Sequence, residues 1–150
     1  MKANETAATT TKAPKKKTTV SNVPTSHGVG RRKSSVARVW LRKGNGKMTV
    51  NGRDFSAYFD TDIACAEATA PFRVAQEAMK FDVDVNVGGG GKQSQAGAIK
   101  LGFARALVLV HENLRPVLRD SNLLTVDSRV KERKKYGQKA ARRKFQFVKR

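Results

Sequence analysis

The chain has 150 residues, with 31 Lys or Arg against 12 Asp or Glu and a formal net charge of +19. That length holds one modest domain plus tails, and so large a cationic excess repels itself in a compact state and calls for an anionic partner: nucleic acid, an acidic membrane surface or an acidic protein. The composition argues against other classes: Cys65 is alone and cannot form an internal disulfide, His27 and His111 lack Cys or carboxylate partners at metal spacing, and no apolar run approaches the roughly 20 residues of a membrane helix.

Residues 1–26 are rich in Thr, Ala, Lys and Pro, with almost no large apolar residue, and read as a disordered basic arm. The arm lacks the apolar stretch of a secretory signal. GVGRRKSS, residues 28–35, superficially resembles a phosphate-binding glycine loop but has the spacing of neither a Walker motif nor a full GxGxxG. It reads as a flexible lead-in to the first strand, with Arg31, Arg32 and Lys33 touching phosphates.

SSVARVWLRK alternates, with Ala37, Val39 and Leu41 on one face and Arg38, Trp40 and Arg42 on the other, the pattern of a half-buried strand. KGNGK and then MTVNG follow, and Asn-Gly between strand-like runs signals a hairpin. Thr61 or Asp60 is placed to cap a short helix through DIACAEA. Pro71 suits the first turn of a second helix, PFRVAQEAMK, in which Phe72, Ala75 and Met79 share a face. FDVDVNV is a strand with Phe81, Val83, Val85 and Val87 inward. After GGGGK a helix is expected from about Ser94 to His111, with Ile99, Phe103, Ala106 and Val110 on one stripe and Lys100 and Arg105 off it. Gly97 and Gly102 each cost such a helix roughly 1 kcal/mol relative to Ala, a cost that close approach of its backbone to the sheet would offset. ENLRPVLRD is a further short helix. The order predicts an α+β domain with helices on one face of a mixed sheet.

Two segments besides GVGRRKSS carry chemistry. In VGGGGKQSQAGA, residues 87–98, glycines before a helix N-terminus can present backbone N–H groups to an anion, or simply form a turn. From Asp127 to Arg150 there are eleven Lys or Arg against Asp127 and Glu132, a net +9 in 24 residues. The cations are Arg129, Lys131, Arg133, Lys134, Lys135, Lys139, Arg142, Arg143, Lys144, Lys149 and Arg150. Each one that reaches a phosphate releases condensed counterions, and Arg adds planar bidentate hydrogen bonding and base stacking. Tyr136, Phe145 and Phe147 can stack on bases or pack against the domain. No carboxylate pair and no Ser/His/Asp arrangement suggests catalysis, and no cofactor, metal or small-molecule substrate is expected.

GRRKSS with GNGK, then QAGAI, ERKKYG and the terminal QFVKR stand in the order and spacing of one family. Over about residues 28–150 the chain resembles the bacterial-type small-subunit ribosomal protein nine family. The resemblance implies a two-layer α+β domain like the second domain of ribosomal protein S-five, with a left-handed βαβ crossover against the usual rule, plus an extended basic C-terminal tail. The domain would span 27–120 and the tail 121–150. The implied role is that of a structural, non-enzymatic part of the small subunit's head, bound to the 3′ major domain of its rRNA and to neighbouring head proteins, and ribosome-bound in the cytoplasm or in an organelle of bacterial descent. Carried over position by position, Arg31, Arg32 and Lys33 match the rRNA-contacting start of the domain. Arg129, Arg133, Lys134, Lys135, Lys139, Arg142, Arg143 and Lys144 fall in its rRNA-embedded basic segment. Lys149 and Arg150 match the tip that reaches the anticodon stem-loop of peptidyl-site tRNA. Phe145 and Val148 replace the family's usual Pro and Ser, and Gln93 and Ser94 stand where Ser and Gly are usual. Two other readings compete: a free-standing RNA chaperone, which would bind many RNAs with similar affinity, and a small-molecule kinase of the same fold, which would need nucleotide at the glycine loop and a catalytic carboxylate.

Overall fold

The computed structural model describes residues 23–147. Most of the expected arm, residues 1–22, and the tip residues Lys149 and Arg150 lie outside them. Five strands form one mixed sheet: β1 (Ser26–Arg32), β2 (Ser35–Lys43), β3 (Met48–Val50), β4 (Arg53–Asp54) and β5 (Phe81–Gly88), in the order β1-β2-β5-β3-β4. All pairings are antiparallel except that of β3 with β5.

The alternating patterns dictate which face is covered. Ala37, Val39 and Leu41 of β2, Val50 of β3, and Phe81, Val83, Val85 and Val87 of β5 are buried, while the residues between them are exposed or half-buried. Onto this apolar face packs helix α4 (Lys92–Val110), which contributes Ile99, Phe103 and Leu107. Each such Leu, Ile or Phe stabilises by about 1.5–3 kcal/mol when fully buried. The other elements are α1 (Phe55–Tyr58), α2 (Asp62–Ala68), α3 (Ala70–Val74) and α5 (Arg115–Asp120). Helices α2 and α3 lie against α4, with the Phe72 and Phe103 rings 4.6 Å apart.

Four expectations are corrected. The first concerns GVGRRKSS, which is no loop: residues 26–32 form edge strand β1, paired along its whole length with β2. Its glycines serve packing. A Cβ on Gly28 would stand 2.1 Å from the Gly102 carbonyl oxygen, and one on Gly30 would stand 1.9 Å from that of Ala98. Strand and helix backbones therefore touch, which is the offset expected for Gly102 in α4.

The second is the Asn45-Gly46 hairpin. β2 and β3 do not pair, because β5 lies between them. The side chain of Asp82 on β5 accepts the Asn45 and Lys47 N–H groups at 2.9 and 3.0 Å and shapes that connection instead. The hairpin turns are Lys33-Ser34 between β1 and β2, and Asn51-Gly52 between β3 and β4.

The third is the helix through PFRVAQEAMK. It breaks at Ala75 (φ −116°, ψ 98°) and resumes as a 3₁₀ turn over Gln76–Lys80. Ala75 is consequently buried while Met79 is 60% exposed, so they do not share a face. The last concerns α4. It starts at Lys92 and not Ser94, with Gly91 at the cap position, and Ser94 sits inside the first turn with its hydroxyl donating back to the Gly91 carbonyl at 2.9 Å.

Candidate nucleic-acid interface

The chain leaves α5 through Asn122 at φ 54° and is pinned by buried Leu123, whose N–H donates to the Leu118 carbonyl at 3.0 Å. From there to Phe147 no helix or strand forms, and most side chains are exposed. The start of this segment closes a cleft against the domain, lined among others by Arg31, Arg32, Glu67, Lys100, Asp127 and Arg129. β1 delivers the two arginines from its end, α2 delivers Glu67 and α4 delivers Lys100.

The carboxylates organise this cleft. Glu67 accepts from Arg32 at 2.7 Å, from Lys100 at 3.1 Å and from the Gln93 side-chain amide at 2.8 Å. Asp127 accepts from Arg32 at 3.4 Å, and from Arg129 at 2.9 Å through Nε and 2.8 Å through Nη2. The Arg129 side chain, and after it the Arg129 backbone N–H, hold the Asp127 carboxyl well below the usual carboxylate range. The same pairing raises Arg129. Four cations face two carboxylates here, so the cleft keeps a net positive charge, with Arg32 and Arg129 held in place by Glu67 and Asp127.

A second basic cluster forms farther along. Lys131, Lys134, Lys139, Arg142 and Arg143 line a groove around Glu132. Arg142 pairs with Glu132 through both Nε, at 2.9 Å, and Nη2. That bond lowers Glu132 and raises Arg142 from their ordinary pKa values. The Lys139 N–H donates to the Arg143 carbonyl at 2.9 Å, and the Lys139 ammonium stands 5.6 Å from the Phe145 ring centre. Tyr136 is 96% exposed and Phe147 fully so; neither packs against the domain.

Of the cations singled out in the sequence, Arg31, Arg32 and Arg129 meet in the cleft, and Lys131, Lys134, Lys139, Arg142 and Arg143 meet in the groove. Lys33 stands exposed at the β1–β2 turn, and Arg133, Lys135 and Lys144 are exposed along the basic segment without lining cleft or groove. The sequence reading missed Lys100 and Glu67 as parts of the cleft. Lys100 was marked only by lying off the apolar stripe of α4, and nothing in the local pattern marks Glu67 as its partner.

The glycine loop has a structural occupation. A Cβ on Gly90 would lie 2.2 Å from the Ser35 hydroxyl, and buried Ser35 donates to the Gly89 carbonyl at 2.9 Å. The loop is thereby seated on the β1–β2 turn. Among the described residues no three His, Cys, Asp or Glu side chains gather as metal ligands, and no helix is long and apolar enough to cross a membrane.

A model of the family "Ribosomal protein S9/S16" matches residues 30–150, from within β1 through the cleft to the basic segment. The "Small ribosomal subunit protein uS9" of Cytophaga hutchinsonii is 52% identical over 124 residues, 83% of this chain and 97% of its own. That of Thermus thermophilus is 51% identical with the same coverage, and that of Borreliella burgdorferi is 48% identical over 135 residues, 90% of this chain and 99% of its own.

Proposed function

Because the chain belongs to the ribosomal protein S9/S16 family, we propose that it is a structural, non-enzymatic constituent of the small ribosomal subunit that binds rRNA and takes part in translation. One observation carries this reading: the family match spans the net-positive cleft and the basic segment to Arg150, and the relatives named for the small subunit are about half identical.

Within this reading, residues 27–120 are the rRNA-docking domain, of the S-five domain-two-like type, and the connection from β3 to β5 is its left-handed crossover. Residues 1–26 are an accessory basic arm. The segment 121–150 is the tail, threaded between rRNA helices of the 3′ major domain in the head beside neighbouring head proteins. Arg31, Arg32, Lys33 and Arg129 grip phosphates where the tail leaves the domain. Arg133, Lys134, Lys135, Lys139, Arg142, Arg143 and Lys144 do so along it. Lys149 and Arg150 contact the anticodon stem-loop of peptidyl-site tRNA. The paired carboxylates support this arrangement physically. Asp127 and Glu132 hold guanidinium groups in fixed orientations, so less side-chain entropy is lost when phosphate oxygens arrive.

Sucrose-gradient fractionation of a lysate, probed for this chain after a high-salt wash, tests the assignment. Co-migration with small subunits through the wash is expected. Migration as free protein, or release at modest salt, would favour a general RNA binder.

A further inference from the structure

We propose that the uncovered face of the β1–β2 half of the sheet is a second docking surface, for single-stranded RNA, separate from the tail; this rests on the RNA-binding reading above. Among the described residues the helices cover one face only. On the other, His27 of β1 and Trp40 of β2 are register partners, with ring centres 5.3 Å apart at 37°. Trp40 is half-buried and His27 exposed. A tryptophan is a costly residue to leave facing water unless something stacks on it, and this is the only one in the chain.

Charge complementarity selects the occupant. The carboxylates on this face are already engaged: Asp82 by two backbone N–H groups of the 45–47 connection, and Asp84 by Thr49 at 3.2 Å and Arg42 at 3.6 Å. Both lie on β5, Asp84 directly across from Trp40 and Asp82 across from Arg42, so this end of the face carries its charges in pairs. Toward the other end, Arg38 is exposed and has no carboxylate partner among the described residues. Arg38 opens onto a groove with Ser34, Val36, Asn86, Gly88 and Gly89, and its partner across the strands is Asn86, whose amide offers both donors and an acceptor to a base edge. At about 3.4 Å per residue, Trp40 and Val36 stand about 14 Å apart along β2, room for more than one nucleotide. Rings to stack on, a free guanidinium for phosphate and an amide for base edges are what single-stranded RNA uses. A protein partner would want a broader apolar centre than the partly exposed Val36 and half-buried Val29 provide.

The test uses the full chain, a fluorescein-labelled mixed-sequence oligoribonucleotide and two readouts: anisotropy of the RNA and intrinsic emission of Trp40. The expected result is saturable quenching of Trp40 that tracks anisotropy, with His27→Ala and Arg38→Ala each weakening the quenching curve several-fold. Trp40→Ala should weaken RNA binding by roughly five- to a hundredfold; the two exposed substitutions stand in for it if that variant does not fold. RNA binding by anisotropy with Trp40 emission and the Arg38→Ala curve unchanged overturns the surface and leaves the ribosomal reading standing. No RNA binding at all overturns the reading beneath it. Equal quenching by polyglutamate of matched charge assigns the face to an acidic protein and overturns the RNA proposal.

Discussion

The Arg32 guanidinium on β1 donates to the Glu67 carboxylate on α2 at 2.7 Å, joining residues 35 apart in sequence. Lys100 and Gln93 of α4 use the same carboxylate, so Glu67 ties a strand to two helices. Replacing Glu67 with Gln removes that charge and leaves Arg32 and Lys100 to repel each other across the cleft. An exposed ion pair is worth up to about 1 kcal/mol and a hydrogen bond to a charged group about 1.5–3 kcal/mol. For these half-buried groups the expected destabilisation is about 1–2 kcal/mol. Urea unfolding of wild type and variant measures it, and unchanged midpoints would mean the cluster is not stabilising.

Gly30 tests the close packing of strand and helix. An added Cβ would meet the Ala98 carbonyl oxygen at 1.9 Å and the Gly102 nitrogen at 2.4 Å, both backbone atoms that cannot rotate aside. Gly30→Ala should cost about 3 kcal/mol, the upper range for overpacking. Gly88→Ala, at a site with nothing within 4 Å, should be near neutral. Equal thermal melts for the two variants would refute the close approach of β1 to α4.

Asp127 gives a pH signature. Its carboxyl is held below the ordinary value by Arg129, so the folded state favours the ionised form. The contribution of that pair is fully present above the unfolded carboxylate value of about 3.9 and disappears as pH falls below it toward the folded value. Carboxyl-carbon NMR should find Asp127 still ionised near pH 3, and Arg129→Ala should return its midpoint toward the usual range. An ordinary midpoint in the unmodified protein would show that the pair does not persist in solution.

The basic segment should divide its labour. Replacing Arg142, Arg143 and Lys144 with Ala should leave folding stability unchanged, since they touch none of the core, and should flatten the salt dependence of rRNA binding. The slope should change by roughly 0.7–0.9 for each phosphate no longer neutralised; an unaltered slope would mean that these side chains do not reach phosphate. Removing Lys149 and Arg150 should weaken peptidyl-site tRNA affinity while subunit incorporation proceeds. Failed assembly of that truncation would contradict the division.

Legibility followed the range of the forces involved. β2 and β5 could be read because their alternation is local, and α4 because its length and preceding glycines are local. β1 could not: its glycines look like a loop until the helix that needs them is placed against it. The stripe of Ile99, Phe103, Ala106 and Val110 marks only part of the buried surface of α4, because the helix is covered on more than one side, with Ala96, Leu101 and Ala104 buried too. The Asn45-Gly46 signal was outweighed by Asp82, which lies some 35 residues away yet fixes that connection. The cations of the basic segment were legible as a charge run, whereas Lys100 was not. Nor were the partner carboxylates Glu67 and Asp127, because which carboxylate meets which guanidinium is decided by topology.

The insertion of β5 between β2 and β3 sets an order of events during synthesis. The β1–β2 hairpin and the β3–β4 pair are not joined in the sheet until residues 81–88 arrive to bridge them, and the shared apolar face stays open until α4 follows. Such non-local closure is slow relative to local pairing. A nascent chain can therefore complete this domain only after α5 and Leu123 have emerged, because Leu118 and Leu123 belong to the buried core, and the strongly cationic segment follows them out. The part with the greatest appetite for polyanions thus emerges behind a scaffold that can already aim it.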